Sequence, residues 1–129
     1  MIKILFVDDN PFALVLATIL REDYKFNVII KTNLDDAEYL LTYDPGEAYY
    51  DFIVLDVTIG GRLGGWDFAK KLINEHNVRS RKIVMYSARI NEIQEELSSD
   101  YPQIHVLDKT KTGLLSNALK IFEGDNNGK

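Results

Sequence analysis

Five short apolar runs recur along the chain, and a segment with helical periodicity follows each of them. The runs cover residues 4–7, 26–30, 52–55, 82–86 and 104–107. A continuous apolar run of four or five residues, rich in β-branched side chains, is typical of a strand buried on both faces. The alternation therefore predicts an α/β protein with a doubly wound parallel sheet of five strands and helices on both faces.

The segments between these runs predict five helices, at about 12–21, 33–41, 66–75, 90–97 and 112–122. Asn10 and Asn33 are good capping residues at the starts of the first two. Phe12 heads the predicted inward stripe of the first helix, which continues with Leu16, Ile19 and Leu20. The fourth helix is weak, because few of its apolar residues are periodic.

Length and composition limit the protein to one ordinary globular domain. The chain has 129 residues, of which 46% are hydrophobic, and we expect a domain at 1–123 with a polar tail at 124–129. The formal charge of −5 argues against nucleic-acid binding by this domain. There is no cysteine, and the apolar start meets Asp8 and Asp9 too soon for a signal peptide or membrane insertion. We therefore expect a cytoplasmic protein.

Polar residues that can carry chemistry follow four of the five predicted strands. They are Asp8 and Asp9, Asp56, Ser87 and Lys109. The carboxyl ends of parallel strands meet at one edge of a sheet, where open α/β sheets place their ligands. Three carboxylates so close would repel one another unless a cation lay among them, and an all-oxygen donor set suits Mg²⁺. The first turn also lacks the glycine fingerprint of a dinucleotide fold.

A carboxylate beside a cation, a lysine and a hydroxyl is suited to phosphoryl transfer. In this reaction, positioning and charge neutralisation supply most of the catalysis. An aspartate can itself be the nucleophile and form an acyl phosphate. Asp56 follows the central apolar run and is the candidate acceptor.

Together these residues resemble the receiver domain of two-component response regulators, the CheY-like family, over about 2–122. The resemblance rests on Asp8–Asp9, Asp56, Ser87–Ala88 and Lys109, each placed after its own strand. It implies a flavodoxin-like (βα)5 fold. It also implies that Asp56 is phosphorylated by a sensor histidine kinase or phosphotransfer protein, and that the domain catalyses only its own phosphorylation and dephosphorylation.

The family pattern assigns a role to each position that matches it. By this resemblance, Asp9, Asp56 and the main-chain carbonyl of Thr58 bind Mg²⁺ directly, and Asp8 helps through water. Lys109 pairs with the phosphoryl group. The resemblance also implies a downstream protein target and a phosphorylation-dependent dimer as an expected assembly.

The switch implied by the family involves two positions. Ser87 is the hydroxyl that moves toward the phosphoryl group. The second position, usually aromatic, is Val106 here. Tyr86 does not replace that aromatic residue, because neighbours on a strand point to opposite faces. Thr110 stands where the family usually has proline after the lysine, and Gly60 where it favours proline after the acceptor, in a loop about one residue longer.

Two other functions compete with the receiver. The first is a small phosphatase with an aspartyl-phosphate intermediate, although such enzymes usually have a second acid two residues after the nucleophile, where this chain has Thr58. The second is an unphosphorylated docking module, which the valine at position 106 favours.

Overall fold

Strands and helices alternate through the part of the chain that the computed structural model describes, residues 1–44 and 46–124. The strands are β1 (Lys3–Val7), β2 (Asn27–Lys31), β3 (Phe52–Leu55), β4 (Ile83–Ser87) and β5 (His105–Asp108). The α-helices are α1 (Leu14–Glu22), α2 (Leu34–Thr42), α3 (Gly64–His76), α4 (Gln94–Asp100) and α5 (Leu114–Glu123). Short 3₁₀ turns occur at Glu47–Tyr49, Ser80–Lys82 and Ile90–Glu92.

All five strands form one parallel sheet in the order β2-β1-β3-β4-β5. Val7 pairs with Leu55, Leu55 with Met85, and Ser87 with Asp108, so the strands end at the same edge. The predicted fold class is confirmed. Because the chain leaves β1 toward β2 on one side and reaches β3 on the other, a crevice opens at the ends of β1 and β3.

The core consists of two layers, one on each face of the sheet. Leu5, Leu55 and Met85 pack in one layer with residues of α2, α3 and α4. Phe6 and Tyr86 pack in the other layer with residues of α1 and α5. Alternate residues of each strand are thus buried on opposite faces, as the period of two in a strand requires.

Local signals in the sequence place several helix ends. The Asn33 side chain accepts a 2.8 Å hydrogen bond from the N–H of Asp36 at the start of α2. Asn10 does not cap α1 as expected: its side chain accepts a 2.9 Å hydrogen bond from the N–H of Phe12 in the turn before the helix, and the N-cap residue of α1, Ala13, makes no side-chain hydrogen bond. Asn77 ends α3 in the left-handed conformation, with φ of 59°.

Two details differ from the sequence expectations. Phe12 is 86% exposed, because residues 11–13 form a turn before α1, and Ala13 takes its place in the core stripe. The predicted helix at 90–97 is a 3₁₀ turn followed by α4, which extends to Asp100. Of the expected tail, 125–129 lie outside the described residues. Within the described residues, no helix is both long and apolar enough to cross a membrane.

Candidate functional site

Asp56 lies directly after β3, the central strand, and its side chain is nearly buried, with the residue 6% exposed. Its main-chain N–H donates to the carbonyl of Val7 in the neighbouring strand, at 3.3 Å. One carboxylate oxygen, Oδ1, accepts hydrogen bonds from the N–H and the hydroxyl of Thr58, at 3.1 and 3.3 Å. The other oxygen, Oδ2, faces Lys109. The strand and the turn after it therefore fix the orientation of this carboxylate.

Lys109 joins two of the acids whose proximity the sequence predicts. Its ammonium donates to Oδ2 of Asp8 at 3.2 Å and to Oδ2 of Asp56 at 3.5 Å. The base of its side chain is fixed, since the Lys109 N–H donates to the carbonyl of Ser87 at 3.0 Å. The ammonium thus lies between two carboxylates, which reduces their repulsion.

Asp8 is a fully buried carboxyl group, with an exposed fraction of 0%. Burial raises its pKa, while a 2.9 Å hydrogen bond from the N–H of Asn10 and the nearby Lys109 ammonium act in the opposite direction. The carboxylate of Asp56 adds to the rise. A further cation close to Asp8 would therefore be favoured electrostatically.

Asp9 is exposed on the loop after β1 and forms no ion pair with another described residue. In residues 1–44 and 46–124, no three histidine, aspartate or glutamate side chains are grouped to hold a metal ion. The expected proximity of three carboxylates therefore holds for Asp8 and Asp56 only. The donor chemistry still fits a hard cation, since carboxylate oxygens and main-chain carbonyl oxygens such as that of Thr58 are the ligands that these ions prefer. That carbonyl accepts a 3.2 Å hydrogen bond from Gly61, which leaves one lone pair.

Ser87 ends β4 beside this group and is 2% exposed. Its hydroxyl oxygen accepts a 2.9 Å hydrogen bond from the N–H of Arg89. The Arg89 side chain pairs with Glu92, whose other carboxylate oxygen lies 3.7 Å from the guanidinium of Arg62. The loops after β3 and β4 are thereby connected through Glu92.

The solved structures that this chain is similar to include several receiver domains. One is the non-phosphorylated HemR receiver domain from Leptospira biflexa, with 19% identity, a TM-score of 0.69, and 95% of this chain and 94% of that chain covered. A second is the response regulator TrrA from Thermotoga maritima in complex with Mg²⁺-BeF, with 22% identity, a TM-score of 0.66, and 94% and 99% covered. The chain has the fold of a response regulator receiver.

A third receiver gives the same result. The chemotaxis response regulator CheY4 of Vibrio cholerae has 20% identity and a TM-score of 0.66, and the match covers 94% of this chain and 98% of that chain. No family model matches the chain, and no curated protein matches its sequence. The likeness is therefore one of receiver fold.

Tyr86 is a contact of the site that sequence reasoning missed. Its ring lies on the side of the sheet that packs against α1 and α5, away from Ser87, as strand alternation predicts. The Lys109 ammonium nevertheless lies 4.5 Å from the centre of that ring. Burial, followed by the charges of Asp8 and Asp56, raises the pKa of Tyr86 to about 12. The local pattern of β4 gives no signal for this contact, because the lysine comes from another strand.

Val106, the second expected switch position, lies on the surface. Val106 is 36% exposed and lines an open groove of about 310 Å³ on the side of α4 and β5, together with Leu97 and Tyr101. Asp108 does not contact the site. It accepts hydrogen bonds from the N–H and hydroxyl of Thr110, which lower its pKa.

The glycine-rich loop is closely packed at its end. A Cβ atom on Gly65 would lie 1.6 Å from the carbonyl oxygen of Asp56, and one on Gly64 would lie 2.1 Å from that of Ile59. The N–H of Gly65 donates to the carbonyl of Val57 at 2.9 Å. The absence of side chains at Gly64 and Gly65 allows α3 to approach the strand that ends at Asp56.

Trp66 connects α3 to α4. It is 1% exposed, and its indole N–H donates a 2.7 Å hydrogen bond to Glu96, which also binds the ammonium of Lys70. The indole and the lysine lower the pKa of Glu96. The sequence contains no local signal for the partner of Trp66 on α4.

Proposed function

We propose that this chain is a phosphorylation-controlled receiver in a two-component system. Asp56 accepts a phosphoryl group from a phosphohistidine of a sensor histidine kinase or of a phosphotransfer protein. The observation that carries the proposal is the placement of Asp56 at the end of the central strand, with the Lys109 ammonium 3.5 Å from its Oδ2 atom. We assign residues 1–123 to the receiver domain and 124–129 to a polar tail.

The reaction is a transfer between two nucleophiles. A carboxylate oxygen of Asp56 forms a bond to phosphorus while the bond between phosphorus and the imidazole nitrogen of the donor breaks. The electron pair of that bond remains on the imidazole. Lys109 is placed to neutralise charge on the phosphoryl oxygens, and the two hydrogen bonds from Thr58 orient the acceptor carboxylate. The domain performs only this transfer and the later hydrolysis at Asp56.

Magnesium is the cofactor that this donor set suits. Asp9, Asp56 and the carbonyl of Thr58 would hold it directly, with Asp8 acting through water. When bound, it supplies positive charge against the incoming phosphoryl group. Two carboxylates and one ammonium otherwise give the buried group a net negative charge, which would repel a phosphodonor. The similar TrrA structure contains Mg²⁺-BeF, which supports the assignment.

Switching follows from the hydrogen bonds around Ser87. Movement of the Ser87 hydroxyl toward the phosphoryl group breaks its bond with the N–H of Arg89 and changes the loop before α4. The surface around Val106 on α4, β5 and α5 then repacks and binds a downstream protein or a second copy of the chain. The helix α4 has seven residues and one buried side chain, Leu97, which suits it to such movement.

The phosphodonor is expected to dock beside the acceptor. Phe12, in the turn before α1, is 86% exposed, and Val15, in the first turn of the helix, is 54% exposed. Exposed apolar side chains next to a charged crevice suit a protein partner. The acidic balance of the chain does not suit nucleic acid, and we expect the receiver to act in the cytoplasm without membrane insertion.

The deciding experiment is intact mass after incubation with acetyl phosphate, with and without Mg²⁺. Wild type should gain one phosphate only with Mg²⁺, and Asp56→Asn should gain none. The matched control is Asp67→Asn, since the Asp67 side chain is 73% exposed on α3 and should not affect labelling. Labelling of Asp56→Asn at the wild-type level would refute Asp56 as the acceptor.

An unphosphorylated docking module is the second candidate, because Val106 lines an open groove where the family has its moving aromatic residue. No mass gain in wild type, together with equal affinity of wild type and Asp56→Asn for a captured partner, would favour it. A phosphatase with an aspartyl-phosphate intermediate would instead turn over a phosphomonoester in excess of protein. We expect no such turnover, because the side chain two residues after Asp56 is the hydroxyl of Thr58.

A further inference from the structure

The buried aromatic ring of Tyr86 contacts the ammonium of Lys109. The Tyr86 ring is 3% exposed and packs edge-on against Phe6, with ring centres 5.5 Å apart and planes at 73°. Phe6 is itself 0% exposed. The Lys109 ammonium lies 4.5 Å from the Tyr86 ring centre and hydrogen bonds to Asp8 and Asp56. The lysine therefore contacts two anionic oxygens and the electron-rich face of a ring that is fixed by its neighbours.

We propose that Tyr86 is a positioning residue for phosphoryl transfer, whose ring face holds the ammonium of Lys109 against Asp56. This inference rests on the proposed function. It assigns to Tyr86 an action through Lys109, with no contact to the phosphoryl group.

The ring contact differs from the ion pair between Lys109 and Asp56 because it does not depend on the charge of that carboxylate. When Asp56 becomes an acyl phosphate, its carboxylate charge is lost and negative charge moves to the phosphoryl oxygens. The hydrogen bond of Lys109 to Asp56 must then change, whereas attraction to the ring face remains. The Tyr86 ring thus keeps the Lys109 ammonium in the same position before, during and after phosphoryl transfer.

The ring, rather than the hydroxyl, carries this role. A tyrosine phenol is neutral at physiological pH, and burial, followed by the charges of Asp8 and Asp56, raises the pKa of Tyr86 further, to about 12. The ring is buried and packs against Phe6, which makes Tyr86 a fixed support and not a moving switch residue. Phenylalanine at this position should therefore work almost as well as tyrosine.

The test compares Tyr86→Phe, Tyr86→Leu and Tyr86→Met by the rate of phosphate gain from acetyl phosphate with Mg²⁺. We expect Tyr86→Phe to remain within about twofold of wild type. The leucine and methionine variants should lose about 2- to 30-fold in maximal rate, the range of a cation–π contact, with little change in the half-saturating donor concentration. Two aliphatic replacements are used so that one misfolded variant does not decide the result.

Phe6→Leu is the matched control, since it removes the other ring of the same buried pair without removing the ring beside Lys109. Phe6→Leu should lower the melting temperature as much as Tyr86→Leu does. It should nevertheless gain phosphate faster than Tyr86→Leu. A second readout is the proton signal of the Lys109 Cε methylene group, which the ring should shift upfield in wild type and Tyr86→Phe and leave unshifted in Tyr86→Leu.

The outcomes separate the inference from the function on which it rests. If wild type gains no phosphate, both fail. If wild type is labelled but the leucine and methionine variants label as fast as Tyr86→Phe, only the positioning role is refuted. Equal slowing by Phe6→Leu and Tyr86→Leu would also refute it, because the effect would then be general core loosening.

Discussion

The ammonium of Lys109 lies 3.2 Å from Oδ2 of Asp8, a carboxylate with no exposed surface. The two residues are 101 positions apart in the chain and directly follow β5 and β1, which are not neighbours in the sheet. Asp56, after β3, shares the same ammonium at 3.5 Å. The acids and the lysine thus form one electrostatic unit, whose parts should not contribute independently.

Removing the lysine should destabilise the protein. We expect Lys109→Met to lower the free energy of unfolding at pH 7 by about 1–3 kcal/mol, because two nearly buried carboxylates lose their shared cation. Asp8→Asn in the Lys109→Met background should recover part of this loss, measured by urea unfolding as a double-mutant cycle. Lys111→Met, at an exposed position nearby, should stay within about 0.5 kcal/mol of wild type. If the changes in unfolding free energy caused by Lys109→Met and Asp8→Asn simply add, the two residues do not act as one electrostatic unit.

Glu92 should restrain the loops on both sides of Asp56. It pairs with Arg89 after β4 and lies near Arg62 in the loop after β3, and its Oε1 is buried with no hydrogen-bond partner among the described residues. We expect Glu92→Gln to speed phosphate gain about two- to fivefold, since it weakens partly exposed ion pairs that hold the loops. Time-resolved intact mass measures the rate.

The control for this effect is Glu22→Gln, which removes one acidic charge at the exposed end of α1 and should leave the labelling rate unchanged. Arg89→Ala should slow labelling if its guanidinium approaches the phosphoryl group once Glu92 releases it. A slower rate for Glu92→Gln would show that the connected loops assist transfer instead of restraining it.

Substitution of Gly65 or Gly113 by alanine should destabilise the protein, for a different physical reason at each position. A Cβ atom at Gly65 overlaps the carbonyl oxygen of Asp56, whereas at Gly113 there is open space but φ is +75°. Gly113→Ala should cost about 1–2 kcal/mol of unfolding free energy from backbone strain. Gly65→Ala should cost more than about 3 kcal/mol and disturb labelling, because α3 must move away from the acceptor. Equal costs in urea unfolding would be inconsistent with the close approach of α3.

Glu96 should contribute an acid-sensitive part of the stability. Its pKa in the folded state is lowered, first by the indole N–H of Trp66 and then by Lys70, so the stabilisation is present above pH 4.5 and is lost as the pH falls through the folded-state pKa. We expect wild type to exceed Glu96→Gln by up to about 1 kcal/mol at pH 7, since the carboxylate is partly exposed. Thermal unfolding between pH 7 and 3 should show this difference narrowing below pH 4.5.

The control is the neighbouring variant Glu95→Gln. The difference in stability between it and wild type should not narrow in this way below pH 4.5, because Glu95 is exposed and has no partner among the described residues. A gap between wild type and Glu96→Gln that stays constant down to pH 3 would mean that the glutamate acts by packing and not by charge.

Much of the fold could be predicted because it depends on patterns within short segments. The apolar runs define the strands, and Asn33 and Asn77 define helix ends through local hydrogen bonding and backbone conformation. Since parallel strands end at one edge, the proximity of Asp8, Asp56, Ser87 and Lys109 also follows from the strand order. The wrong placement of Phe12 arose because a turn and a first helical turn have the same local pattern.

The remaining features depend on side chains from distant segments. Lys109 has a long side chain whose path over Tyr86 cannot be inferred from either strand alone. The exposure of Asp9 depends on the backbone of one loop. The Trp66–Glu96 hydrogen bond depends on how α4 packs, and the weak apolar pattern of that segment gives little indication of its position. Tertiary packing, which determines these contacts, has no local periodicity.

Trp66 also makes this protein convenient to observe. It is the single tryptophan of the chain, so all indole fluorescence originates between the acceptor loop and α4. Any rearrangement that separates α4 from α3 must change the hydrogen bonding and polarity around that fluorophore. Stopped-flow emission on unlabelled, unmodified protein can therefore time the conformational response separately from the chemistry at Asp56.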